Sequence, residues 1–175
     1  MRKILLVLYY AVFSRLPMEE FPGGKFFNRL RAMAARRILP HFGQRTRLSS
    51  GCYFGDGHRL RIGSDCTIAQ NVRLNGTITI GNDCLIAPDV VMMSTTHNHT
   101  RTDIPIARQG SGEEQPIVIE DGVWVGTRVV ILPGVTIGHD SIVATGAVVS
   151  RSCEPFSIIG GVPAKFVKSR KEPEN

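Results

Sequence analysis

Two stretches of this chain repeat with a period of six residues. In the later one Ile119, Val125, Ile131, Ile137, Val143 and Val149 each open a unit, with Val123, Val129, Val135, Ser141 and Ala147 at the fifth place. In the earlier one Ile62, Ile68, Leu74, Ile80, Ile86 and Met92 lead, and Cys66, Val72, Ile78, Cys84 and Val90 hold the fifth place. The buried stripe of a helix recurs about every 3.6 residues and one face of a strand about every 2. A period of six suits neither. It suits a chain that turns a corner after each short strand, three strands closing one triangular coil. Coils then recur every eighteen residues, as from Ile62 to Ile80, and stack as a solenoid. Each lead residue is expected above that of the coil below, roughly 4.8 Å away. Glycine often follows the lead, at Gly63, Gly81, Gly126 and Gly138, and is assigned to the tight corners. Asn82-Asp83, Glu120-Asp121-Gly122 and His139-Asp140 add further turn formers.

The repeat is interrupted once. After Met92 the next unit is due at position 98, yet the next lead is Ile119, so 21 residues (98–118) are inserted at a corner. Long excursions from a strict scaffold are usually functional. The insertion carries His99, Arg101, Asp103, Arg108, Glu113 and Glu114, and His97 stands at its threshold. Histidine ionises near neutral pH and is the usual general base there.

The 175 residues form one solenoid domain with two appendages. Residues 1–49 read as a basic helical leader, broken at Pro17 and Pro22-Gly23-Gly24, with a helix from Lys25 to Leu39. Residues 50–163 are the β-helix, and residues 164–175 a basic tail whose last four, Glu-Pro-Glu-Asn, are expected to fray. Residues 1–47 hold ten Lys or Arg against Glu19 and Glu20, a net of +8 in a chain whose total is +6. A helical cap over the end of the solenoid explains this charge, and so does an anionic surface or substrate. Aromatics are sparse and no nucleic-acid motif accompanies the charge, so nucleic acid is not expected.

Residues 4–13 are apolar but too few to span a bilayer, which takes about 20. No small-residue cleavage site follows them before Leu16-Pro17. The expected location is the cytoplasm, with the leader available for weak association at the inner membrane surface. Cys66 and Cys84 share a place in adjacent coils and are expected to pack inward, while Cys52 and Cys153 lack metal-knuckle spacing.

Several segments together resemble the hexapeptide-repeat acyltransferases over about residues 50–170. They are Ala87-Pro88-Asp89-Val90, Thr96-His97, Arg101-Thr102-Asp103-Ile104-Pro105, Gln109-Gly110, Val123-Trp124-Val125-Gly126, Ile131-Leu132-Pro133-Gly134-Val135 and Gly160-Gly161-Val162-Pro163-Ala164-Lys165. The resemblance is nearest to the maltose and galactoside O-acetyltransferases and their relatives in polysaccharide synthesis. It implies an all-β solenoid, a left-handed parallel β-helix, assembled as a homotrimer with acetyl-CoA in the cleft between subunits and no metal. It implies His97 as general base, ten residues after Ala87, in a direct transfer to a hydroxyl of a sugar or polysaccharide precursor. His99 then orients His97, binds the acceptor or does neither. Gly126, Thr127, Thr145 and Gly146 match positions lining the pantetheine arm. This chain has Ala144-Thr145-Gly146 where the family usually has Gly-Ala-Gly. Arg151, Lys165 and Lys168 match basic positions for the nucleotide phosphates, and Trp124 lines the acyl channel or packs at the subunit boundary.

Two other readings stay open at this stage. The γ-type carbonic anhydrases share the coil but need three histidines on zinc, and His41, His58 and His139 lie far from His97 and His99 in sequence. A non-catalytic β-helix scaffold predicts that His97 is dispensable.

Overall fold

The computed structural model describes residues 1–171; the fraying expected of the last four residues lies outside them. The six-residue units fold as a three-sided parallel solenoid. One side stacks β1 (His41–Phe42), β3 (Leu60–Ile62), β6 (Ile78–Ile80), β9 (Ile117–Ile119) and β12 (Thr136–Ile137). A second stacks β2 (Arg47–Leu48), β4 (Thr67–Ile68), β7 (Leu85–Ile86), β10 (Trp124–Val125), β13 (Ile142–Val143) and β15 (Ser157–Gly160), closed by β16 (Lys165–Ser169). The third stacks β5 (Arg73–Asn75), β8 (Val91–Met93), β11 (Val130–Ile131) and β14 (Val148–Val149).

Register follows the lead residues. Ile62, Ile80, Ile119 and Ile137 stand in one column, Ile68, Ile86, Val125 and Val143 in the second, and Leu74, Met92, Ile131 and Val149 in the third. All twelve are buried, as are the fifth-place residues including Cys66 and Cys84. Ile80 pairs directly with Ile119, so the insertion leaves the winding undisturbed. A one-residue slip would turn every apolar side chain outward, which is why the column holds across a long excursion.

The corners are made differently from the sequence expectation. Gly63, Gly81, Gly126 and Gly138 have no positive φ. The left-handed residue sits at the fourth place of nine units instead: Asp65, Asn71, Asp83, Asp89, Gly122, Arg128, Gly134, Asp140 and Gly146; in the unit led by Leu74 it is Gly76, at the third place. Aspartate and asparagine reach that conformation more readily than other side chains, and glycine freely. Glycine follows the lead because the next coil passes too close for a side chain. A Cβ on Gly63 would lie 2.4 Å from the Gly81 carbonyl oxygen, and one on Gly126 would lie 2.7 Å from the Thr145 nitrogen.

The leader is a cap, and it is shorter than expected. α1 (Arg2–Ala11) and α2 (Gly24–Ile38) pack together over the first coils, and the solenoid already begins at His41 rather than at position 50. Phe42, Leu48 and Phe54 keep the six-residue spacing and are buried, but Phe42 pairs with Ile62 and Leu48 with Ile68, so two extra residues put this coil out of phase with the leads from Ile62 onward. Arg31 of α2 is fully buried and ties the cap down. Its guanidinium donates to the carbonyls of Leu48 (2.9 Å), Leu16 (3.0 Å) and Pro17 (3.2 Å) and to Asn28 Oδ1 (3.0 Å). The buried Tyr9 hydroxyl donates to the Cys52 carbonyl at 3.1 Å, and Tyr10 donates to that of Gly55 at 2.8 Å. Burial pushes the Cys52 thiol up to about 12, so it packs as a neutral apolar group. At the other end residues 165–169, assigned to the basic tail, form an antiparallel strand on β15.

Candidate active site

The inserted segment leaves the prism after β8 and rejoins it at Ile117, so residues 117 and 118, assigned to the insertion from sequence, belong to β9. Its two arms are held as a short antiparallel ladder. His97 faces Ser111, the Asn98 amide donates to the Gly110 carbonyl (3.0 Å), and the Gly112 amide donates to that of Thr96 (2.8 Å). The Asn98 side chain caps the Ser111 carbonyl at 2.9 Å. Beyond the ladder Gln109 binds the backbone of Arg101 through both its amide oxygen (3.1 Å) and nitrogen (2.7 Å), and Arg101 pairs with Asp103. These bonds give the excursion a defined shape despite its few buried apolar residues.

His97 is exposed, and its imidazole makes no hydrogen bond among the described residues. His99 Nδ1 lies 3.0 Å from the His97 carbonyl, which only accepts, so a proton on Nδ1 completes the bond. The ladder thus presents two neighbouring rings, one free to meet a proton donor and one turned back on the backbone.

The base of the loop rests on Glu114, which the sequence placed in the insertion without a role. Glu114 Oε1 accepts from Ser94 Oγ (2.7 Å) and the Thr77 amide (2.6 Å), and its other oxygen pairs with Arg59. The Ser94 hydroxyl first, with Thr77 and Arg59 beside it, holds the Glu114 carboxyl below the usual carboxylate range. Arg59 lies 55 residues before Glu114, and nothing local marks the pair.

The remaining sequence-nominated residues fall at other places. Gly126, Thr127, Thr145 and Gly146 come together as stacked turns of one corner, where the Gly146 amide donates to the Thr127 carbonyl at 2.8 Å. Gly146 is open, with nothing within 4 Å of a Cβ placed there. Arg151 and Lys165 line one hollow of about 430 Å³ at the closing end, beside Phe166. Lys168 lies further along β16, paired with Ile158. Trp124 is half exposed on the second side, in register between Leu85 and Ile142.

His97 and Trp124 are not brought together within one chain. The loop leaves from the corner between the third and first sides, and that corner is opposite the second side, where Trp124 stands. Among the described residues no group of three or more His, Cys, Asp or Glu is placed to hold a metal ion. His58 pairs with Asp56 (2.5 Å) and His139 with Asp140 (2.9 Å).

Comparison with known proteins decides the family. The family described as bacterial transferase hexapeptide (six repeats) matches residues 116–151. A hexapeptide-repeat acetyltransferase of Vibrio cholerae, solved with acetyl coenzyme A, is 30% identical with a TM-score of 0.79, covering 98% of this chain and 86% of that one. The chain belongs to the hexapeptide-repeat transferase family. Within it, the galactoside O-acetyltransferase of Escherichia coli strain K12 is 32% identical over 120 residues, 66% of this chain and 57% of that protein. The chain therefore spans little more than half the length of that relative. A galactoside acetyltransferase solved with coenzyme A is 27% identical, with a TM-score of 0.82 over 97% of this chain and 80% of that one. These hexapeptide-repeat structures extend the likeness beyond the matched repeats to nearly the whole chain, cap included.

Proposed function

We propose that the protein is an acetyl-CoA-dependent O-acetyltransferase whose acceptor is a hydroxyl of a sugar or polysaccharide precursor. The observation that carries the reading is His97: an exposed imidazole, without a hydrogen-bond partner among the described residues, on a braced ladder at the break in the winding. In the reaction the imidazole takes the acceptor hydroxyl proton while that oxygen attacks the thioester carbonyl. The tetrahedral oxyanion collapses, the C–S bond breaks, and the thiolate leaves and is protonated. No covalent enzyme intermediate is required, and holding both reactants in one cleft supplies much of the rate.

Placement of His97 and Trp124 on opposite parts of the prism supports a site shared between neighbouring copies, as in a homotrimer. One copy then offers the His97 loop. Its neighbour offers the Trp124 side and the corner of Gly126, Thr127, Thr145 and Gly146, with Arg151, Lys165 and Lys168 available to phosphates. Turn amides in that corner are suited to an extended amide-bearing arm.

The test is thiol release from acetyl-CoA across a panel of sugars, run beside His97→Ala. Loss of a general base lowers turnover by about 10²–10⁴ while leaving coenzyme binding near its original strength. Full activity in that variant removes His97 from the reaction, and a matching loss in His99→Ala alone transfers the role to His99.

A further inference from the structure

α1 is apolar on both sides. Its inner side carries Leu5, Leu6, Tyr9 and Tyr10 against the first coils. Its outer side carries Ile4, Val7, Leu8 and Val12, which are 67%, 67%, 43% and 44% exposed. Positions 4, 7, 8 and 11 share one helix face, where Ala11 is exposed too, and Val12 continues it at the C-cap, so the exposure is a continuous stripe. On α2, Phe26 and Met33 are 60% and 45% exposed, and a hollow lined by Met1, Arg2, Ile4, Leu5, Leu8 and Arg37 joins the two helices. An apolar surface of this kind marks an interaction site.

Charge identifies what covers it. Lys25, Arg29, Arg36 and Arg37 stand exposed along α2 among Phe26 and Met33, and Lys3 and Arg15 flank α1. Lys25, Arg29 and Arg36 make no ion pair among the described residues. They line a second hollow, of about 510 Å³, with Arg45 and Arg47, where Glu19 is the sole carboxylate of the lining. A second copy meeting this face about a twofold axis would set cations against cations. A surface of negative headgroups over an apolar interior answers both features at once.

We infer that the α1–α2 face docks in the plane of an anionic phospholipid bilayer. Ile4, Val7, Leu8 and Phe26 enter the boundary of the acyl chains while Lys25, Arg29, Arg36 and Arg37 meet headgroup phosphates. Among the described residues no helix is long and apolar enough to cross a membrane, so the contact is peripheral. Docking is independent of the reaction assigned to His97, because none of these residues belongs to that site.

The experiment is co-sedimentation of the full chain with vesicles of phosphatidylcholine alone and of phosphatidylcholine with phosphatidylglycerol. The protein is expected to pellet with the mixed vesicles, to stay in solution with phosphatidylcholine alone, and to be released by salt at about 0.5 M. Ile4→Asp/Val7→Asp abolishes pelleting, with circular dichroism unchanged. Lys25→Gln/Arg29→Gln/Arg36→Gln weakens it about fivefold per cation removed. If the first variant misfolds, the second decides, since its residues are exposed and unpaired. Three results overturn the inference: no pelleting with the mixed vesicles, pelleting that both variants leave intact, or a smaller oligomer in light scattering of Ile4→Asp/Val7→Asp without lipid. The last assigns the stripe to another copy of the chain.

Discussion

Ser94 Oγ donates to Glu114 Oε1 at 2.7 Å, and this bond closes the neck of the loop that carries His97. Ser94 is fully buried, so its hydroxyl has no water to fall back on. Glu114→Ala is expected to lower turnover about 10- to 100-fold through misplacement of His97, with a loss of stability of about 1–3 kcal/mol. Steady-state kinetics and amide exchange of residues 95–113 check both. The carboxyl of Glu114 is held below its ordinary 4.5, so its contribution is complete above about that pH and fades as pH falls through its lower folded-state value. Exchange in the loop, corrected for intrinsic rate, therefore rises on acidification in the natural chain. Glu114→Gln removes that step.

Arg31, fully buried, anchors the cap through five acceptors, the carbonyls of Leu48, Phe13, Leu16 and Pro17 and the Asn28 side-chain oxygen. Arg31→Met keeps the volume and orphans these acceptors, at a cost of about 3 kcal/mol. Opening should be local. Limited proteolysis is expected to cut residues 1–40 while the solenoid stays intact; simultaneous loss of the whole chain would show the cap and coil to be one cooperative unit.

Gly126→Ala places a methyl 2.7 Å from the Thr145 nitrogen, and backbone cannot move aside cheaply. The coils must separate at that corner, costing about 1–3 kcal/mol in thermal unfolding. The Michaelis constant for acetyl-CoA is expected to rise as well, since the Thr127 and Thr145 turns shift together. An unchanged constant would remove this corner from the coenzyme site.

A site shared between copies permits complementation. His97→Ala and Trp124→Ala are each expected to be impaired. After unfolding and refolding as a mixture, about a quarter of the sites then combine an intact His97 with an intact Trp124 from a neighbour. Activity above both parents supports the two-chain site. Activity no higher than the mean of the parents places both residues in one chain's site, against the geometry above.

Much of the fold was legible because it is repetitive. A strict period of six forces Ile62, Ile80, Ile119 and Ile137 into one column whatever lies between them, and the break at position 98 announces the loop. The first coil at His41–Leu48 was missed although Phe42, Leu48 and Phe54 keep the period, because two extra residues shift it out of phase with Ile62 and its successors, an offset that the pairing with Leu60–Ile62 and Thr67–Ile68 reveals. Glycine after Ile62, Ile80, Val125 and Ile137 was visible, but its reason was not. Close approach of a neighbouring coil leaves no trace in local sequence, whereas the turn preference of aspartate and asparagine does.

The candidate site divides in the same way. Sequence determined that His97 stands at the interruption and that a small-residue corner and basic positions follow, because these depend on spacing along one chain. Tertiary structure decided that Glu114 locks the loop to Ser94, Thr77 and Arg59, and that His97 and Trp124 belong to opposite parts of the prism. Such relations are set by which coil lies above which and by how far the chain has turned. Those quantities accumulate over dozens of residues, so no short stretch of sequence can hold them.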